Sequence, residues 1–208
     1  MTRVIMLRHG QSEANAAHIT AGQINFQLTD VGREQAKYAA DHLFLNEKID
    51  RIYSSDLQRA IDTAAPTAEL FGLSITTDRR LREIDTGKFA GLTFEQRVER
   101  FPAESDLHAR DFSHMQFPDG EYVPDAYDRV VECVCEIAKR HDGETVLIAS
   151  HAGAIRVFDT FAQGYSREES GKCRGVKNAS VSIYECDGQS ARPIKTNITD
   201  HLPDTEKQ

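Results

Sequence analysis

The chain is poor in the features that mark secreted, membrane-spanning and nucleic-acid-binding proteins. Its four cysteines, Cys133, Cys135, Cys173 and Cys186, lack Cys-x-x-Cys zinc spacing and are too sparse for a disulfide scaffold, so they read as reduced thiols. No run of apolar residues is long enough to span a bilayer, and the first residues lack a charged segment leading into an apolar stretch, which implies a cytoplasmic protein. No basic block interrupts a formal net charge of −8, which argues against nucleic acid or an anionic membrane surface as partner. Long repeats and low-complexity segments are absent. Asn178-Ala-Ser and Asn197-Ile-Thr fit the glycosylation pattern without a secretory context and read as chance matches.

What is present is an alternation of short apolar runs and amphipathic stretches. With 208 residues, 39% of them hydrophobic, the chain can bury one sizeable core, which implies a single domain over 1–208. "RVIMLRHG" begins with a buried strand. "QLTDVGREQAKYAADHLFLNE" spaces Ala36, Ala40, Leu43 and Phe44 as a helix face, with Thr29 or Asp30 as cap. A strand over Ile49 to Tyr53 leads through Ser-Ser-Asp into a helix presenting Leu57, Ala60, Ala64, Ala68 and Phe71; Pro66 lies within it and Gly72 ends it. From about 90 to 122 the sequence is polar, aromatic and irregular, which implies an inserted lid. Regular structure resumes with a helix carrying Tyr127, Val130, Val134 and Ile137, a strand from Thr145 to Ala149 and a further helix. "SVSIYECDGQSARPIKTNI" reads as an edge hairpin turning at Asp187-Gly188, and the final "DTEKQ" as a frayed tail. The expected fold class is α/β: a three-layer α/β/α sandwich with a mainly parallel central sheet.

"VIMLRHG" and "VLIASHAG" echo each other, since both are apolar strands that end on histidine. In open α/β sheets ligands gather at the carboxyl edge of the strands, so His9 and His151 are expected to face one ligand there. Arg8 leaves the same edge, and Arg59 falls in the first turn of the helix expected to be capped by Ser55 or Asp56. Guanidinium forks and helix-start N–H groups both suit phosphate oxygens. A neutral imidazole flanked by cations can attack phosphorus, and Glu83 in "LREID", at the end of a short strand, is the best-placed carboxyl to protonate the leaving oxygen. Glu69, Asp85 and Glu121 compete for that role. Each of these residue types has an ordinary structural use; the ordered set points to chemistry. A metal at His9 and His151 would lack completing ligands and face adjacent arginines, so neither metal nor cofactor is expected. The other histidines, His18, His42, His108, His114, His141 and His201, read as solvated, with His114 the one to watch because it lies in the lid.

Five blocks, "LRHGQSEAN", "LTDVGREQA", "IYSSDLQRAIDTA", "LREIDTGKFAGLT" and "VLIASHAGAIR", resemble in their order the motifs of the histidine phosphatase superfamily, in its phosphoglycerate mutase-like branch. The resemblance implies that His9 is the phosphorylated nucleophile, that Arg8, Arg59 and His151 hold the transferring group, and that Glu83 is the proton donor. It also implies phosphate or substrate contacts at Asn15, Gln23 and Ala152. Two departures stand out: Ala152 replaces a frequent glycine, harmless if the backbone needs no positive φ, and Tyr122 replaces a frequent serine in the lid.

The block after Arg59 differs from the Asn-Glu-Arg-His-Tyr-Gly pattern of glycolytic mutases, which favours a metal-independent phosphomonoesterase acting on a small phosphorylated metabolite. A phosphoglycerate mutase is the alternative, and a phospho-ligand scaffold a third reading. Between Phe94 and Tyr122 the cations are Arg97, Arg100 and Arg110, offset by acidic residues, so a monoester suits the lid better than a bisphosphate. Phe101, Phe112, Met115 and Phe117 would wall an apolar part of the substrate or pack the lid down. A cobamide-pathway phosphate, a sugar phosphate, a phosphoglycerate derivative or a range of monoesters all suit such a pocket, in a monomer or homodimer.

Overall fold

Val4 to Leu7 are wholly shielded from solvent, which a strand achieves only when both its faces are covered. The computed structural model describes residues 1–204; residues 205–208, within the stretch expected to fray, lie outside the described residues. In chain order the elements are β1 (Thr2–Arg8), α1 (Glu13–Ala16), α2 (Asp30–Asn46), β2 (Arg51–Ser54), α3 (Gln58–Phe71), β3 (Ile75–Thr77), α4 (Phe94–Arg100), α5 (Pro102–Arg110), α6 (Val123–Arg140), β4 (Thr145–Ser150), α7 (Ala152–Ala162), β5 (Val181–Cys186) and β6 (Ala191–Ile198).

The sheet has six strands in the order β3-β2-β4-β1-β5-β6. β3, β2, β4 and β1 run parallel, and β5 and β6 form the antiparallel edge hairpin expected from sequence. Alternate residues of the central strands feed two apolar cores. Val4, Met6, Val146 and Ile148 pack with Val130, Val134 and Ile137 of α6 and Ile155 and Phe158 of α7. Ile5, Leu7, Leu147 and Ala149 pack with Ala39 and Leu43 of α2 and Ala60 and Ala64 of α3. These are the three expected layers.

β1 and β4 are in register to their last residues, Leu7 opposite Ala149 and Arg8 opposite Ser150, and His9 N–H continues the ladder to the Ser150 carbonyl at 3.0 Å. Both histidines therefore leave the sheet at one level. Directly beyond, Gly10 lies against Gly32: a Cβ on Gly10 would sit 2.4 Å from the Gly32 oxygen, and one on Gly32 2.0 Å from the Gln11 oxygen. This close approach clamps the loop after β1 onto the start of α2, which Thr29 caps by accepting the Gly32 N–H at 3.0 Å.

Several sequence readings need correction. Phe44 is 52% exposed and lies edge-on to Phe71, because the buried seam of α2 follows Ala36, Ala39, Ala40 and Leu43 and Phe44 falls a further 100° round the helix. Neither Ser55 nor Asp56 is the N-cap of α3: Leu57 holds that position, Ser55 Oγ accepts its N–H at 3.2 Å, and Asp56 pairs with Arg82 at 2.6 Å. Glu83 does not end a strand; after β3 an Asp78-capped 3₁₀ turn over Arg79–Leu81 intervenes. The segment 90–122 is not irregular, since it contains α4 and α5. Both have sequence signals, the Thr93-Gln96 capping box and Pro102 in the first turn.

The clamp predicts that Gly32→Ala lowers unfolding free energy by about 2–3 kcal/mol in urea titrations, since backbone must shift to admit the methyl group. Gly175→Ala, whose Cβ meets nothing within 4 Å, stays within about 0.5 kcal/mol of the parent.

Candidate active site

At the carboxyl edge of the sheet a pocket of about 240 Å³ opens over β1 and α7. Arg8, His9, Asn15, Arg59, Glu83 and Ala152 line it, which brings together six of the residues picked out from sequence. His151 stands behind, fully buried, its ring centroid 5.1 Å from that of His9 and tilted by 60°.

His9 Nδ1 lies 2.7 Å from the Gly10 carbonyl, which can only accept, so Nδ1 carries the proton and donates it. Burial together with the charges of Arg59 and Arg8 holds the imidazole well below its ordinary range. The ring is therefore neutral, with the Nε2 lone pair free. The loop beneath it is fixed by Thr63 and Asn178. Gly10 N–H donates to Thr63 Oγ1 at 3.0 Å, Thr63 donates to the Arg59 carbonyl at 2.7 Å, and the buried Asn178 amide donates to the His9 and Gly10 carbonyls at 3.0 and 3.2 Å. Asn178, read from sequence only as a chance glycosylation match, is thus a structural bolt of the site.

Arg59 is wholly buried, donating to the Ile24 carbonyl at 2.8 Å and the Gly22 carbonyl at 2.9 Å, while its Nε has no partner among the described residues. Burial pulls it down to about 10, which leaves it a cation at neutral pH. Arg8 donates to the Val176 carbonyl at 2.6 Å, and its Nε is likewise buried without a partner. Neither guanidinium has a carboxylate within ion-pair distance among the described residues. Two unneutralised cations beside a neutral imidazole make a seat for an anion. His151 shares Nε2 with Ser55 Oγ at 2.9 Å, leaving Nδ1 buried and unpartnered; burial and the same cations hold this ring well below the imidazole range as well.

Glu83 takes the N-terminus of α7. Its Oε2 accepts the Gly153 N–H at 3.2 Å, and Oε1 accepts those of Ala154 and Ile84 at 3.2 and 3.0 Å. The first N–H groups of α7 are thus engaged by this carboxylate. A Cβ at Gly153 would lie 2.5 Å from Glu83 Oε1, so a side chain there would displace the carboxylate, whereas Ala152 has ordinary helical geometry and tolerates its methyl group.

The loop carrying Glu83 is held by a residue that sequence reading missed. Arg129 of α6 spends its guanidinium on the carbonyls of Arg80, Arg82 and Glu83 and on both carboxylate oxygens of Glu121, at 2.6–3.0 Å. Glu121 also accepts Asp85 N–H at 2.7 Å, so this competitor for the proton-donor role is occupied elsewhere. Asp85 accepts from Gly87 and Glu69 is exposed. Gln23 does not line the pocket. Its amide donates to the Glu83 carbonyl at 3.1 Å and accepts from Arg82, so it supports the loop from behind. Asn15 closes a capping box with Ser12 and accepts from Asn178.

The histidine expectations need correction: His141 is not solvated, its side chain being 12% exposed and bonded to Tyr53 and Glu144, and the two lid histidines change places. His114 is exposed and pairs with Asp111, outside the pocket. His108 instead lines it, packed against Phe112 and Phe117, with burial and the charges of Arg97 and Arg156 pulling it down to about 4. An aromatic neighbourhood assembled from positions 89, 112 and 117 left no periodic signal.

This fold and site define a class. The chain matches the family model of the histidine phosphatase superfamily (branch 1) over residues 4–199, and it belongs to that family, whose members of this type are phosphomonoesterases. It is 32% identical to phosphoserine phosphatase 1 of Hydrogenobacter thermophilus, over 97% of this chain and 95% of that one. It is also 32% identical to phosphoglycerate mutase-like protein 4 of Arabidopsis thaliana, over 87% and 78%. Among solved structures, a mycobacterial glucosyl-3-phosphoglycerate phosphatase superposes with a TM-score of 0.84 at 29% identity, covering 95% of this chain and 99% of that one.

The buried neutral imidazoles make stability pH-dependent. Unfolded imidazoles take up protons below about 6.5 while His9 and His151 in the fold do not, so stability is full above that pH and falls as pH decreases. Urea unfolding in phosphate-free buffer should therefore show a shallower acid decline for His9→Asn than for the parent.

Proposed function

We propose that the chain hydrolyses small phosphomonoesters through a phosphohistidine at His9, without a metal. The observation that carries this reading is the proton on Nδ1: donated to Gly10, it leaves Nε2 as a lone pair between two carboxylate-free guanidiniums. Nε2 attacks phosphorus as the ester P–O bond breaks, and Arg8, Arg59 and His151 balance charge on the phosphoryl oxygens. Glu83 delivers its proton to the departing oxygen. Water then attacks the phosphohistidine with Glu83 as base, releasing phosphate and restoring the imidazole. Asn15 and Ala152 border the substrate, and Gln23 acts on it through Glu83. The names of relatives as phosphoserine and glucosyl-3-phosphoglycerate phosphatases support a small phosphorylated metabolite as substrate.

Hydrolysis of p-nitrophenyl phosphate should persist in chelator and vanish in His9→Ala, and rapid quenching of the parent should trap acid-labile, protein-bound phosphate. Activity lost to chelator, or surviving in His9→Ala, overturns the mechanism. Phosphoenzyme that forms but discharges only to a second phosphoglycerate identifies a mutase. Glu83→Gln should slow hydrolysis of an alkyl phosphate by about 10²–10³-fold and that of p-nitrophenyl phosphate far less, because nitrophenolate needs no proton to leave.

A further inference from the structure

The arginines around the site fall into two groups. Behind the pocket, Arg80, Arg82 and Arg129 each have a carboxylate partner. In its wall, Arg8, Arg59 and Arg156 have none among the described residues. Two of these flank His9. The third lies apart: the charges acting on His9 are Arg59 and Arg8, whereas Arg156 acts on His108. Arg156 stands one helical turn after Ala152 on α7, so both reach the pocket from one face.

The guanidinium of Arg156 is held in place. Nε donates to the Ser170 carbonyl at 3.1 Å and Nη2 to that of Gly171 at 3.2 Å, and Cζ lies 3.8 Å from the centre of the Phe112 ring. Nη1 has no partner among the described residues. Beside it, neither ring nitrogen of His108 bonds to another described residue, although the ring is packed against Phe112. The distal end of the pocket thus presents one oriented cationic N–H donor and a neutral imidazole on an aromatic wall.

We infer that Arg156, with His108 beside it, recognises a carboxylate on the non-phosphoryl part of the substrate, making the natural substrate class phosphomonoesters of hydroxy or amino acids. The inference rests on the phosphatase reading and deepens it. A phosphomonoester dianion is matched by Arg8 and Arg59, which leaves the charge of Arg156 for one further negative group. With Nε and Nη2 committed to carbonyls, Arg156 presents Nη1 to one oxygen of a further anionic group. A pocket of about 240 Å³ likewise suits a three-carbon acid.

Calorimetry separates this from the chemistry. On His9→Ala, which cannot turn over, 3-phosphoglycerate and glycerol 3-phosphate differ only by carboxylate against hydroxymethyl; the acid should bind about 30-fold more tightly. In His9→Ala/Arg156→Met that preference should shrink to about 3-fold or less, and Arg156→Lys in the same background should restore part of it. Equal affinity for the two ligands, or a preference unchanged by Arg156→Met, overturns the assignment. A larger gain for propane-1,3-diol bisphosphate than for 3-phosphoglycerate would transfer the subsite to a second phosphate and refute the carboxylate. Far-ultraviolet circular dichroism and Tm of the double variant verify folding. Failure of the phosphatase reading shows separately, as absent p-nitrophenyl phosphate hydrolysis by the parent, while the binding comparison stands without turnover.

Discussion

The register of β1 against β4 is the constraint on which the rest of the site depends. Because Arg8 lies opposite Ser150, the two strands end flush, and each delivers a histidine to the same level of the same edge. A slip of one residue would turn every side chain of β1 to the other face, exchanging the set that packs on α6 and α7 for the one that packs on α2 and α3. The apolar cores therefore do more than stabilise the sheet. They prohibit the alternative pairings in which the two imidazoles would not meet.

Electrostatically the site concentrates two guanidiniums that lack ion-pair partners among the described residues and are offset only by the nearby charge of Glu83. Burying Arg59 without a carboxylate is costly, and the protein offsets part of that cost with backbone carbonyls of the loop at Gly22 and Ile24. Those carbonyls orient the fork without cancelling its charge, so the ligand completes the neutralisation. The same cations keep His9 unprotonated, and thus one arrangement serves both to attract the anion and to leave the attacking nitrogen free. The opposite strategy operates behind the pocket, where Arg82 and Arg129 are neutralised by Asp56 and Glu121 and work as rigid braces.

Much of this was legible in sequence because it rests on local pattern. The apolar runs of β1 and β4, each ending in histidine, carry their burial and direction in their composition. Arg8 and Arg59 follow from their position at a strand end and in a first helical turn. What escaped depends on contacts between segments far apart in the chain. Arg129 lies on the polar side of a helix pattern and reads as solvated, yet it binds a loop some 47 residues away. Gln23 was a ligand contact only by resemblance to the family, and the fold turns it onto the Glu83 carbonyl. His108 and His114 exchange roles because α5 sends one ring inward onto Phe112 and leaves the other at the surface, beside Asp111. The capping box at Thr93, by contrast, was readable and marks α4 within a segment that composition alone suggested was irregular.

Two adjacent positions at the start of α7 differ sharply in what they admit. Ala152 faces the pocket and already carries a side chain on ordinary helical backbone, whereas the space above Gly153 is filled by the Glu83 carboxylate. For anyone reshaping substrate preference, position 152 is thus an open dial and position 153 a fixed stop. Variation at the first resizes the cavity beside the reacting phosphorus, while variation at the second displaces the acid and changes the chemistry itself.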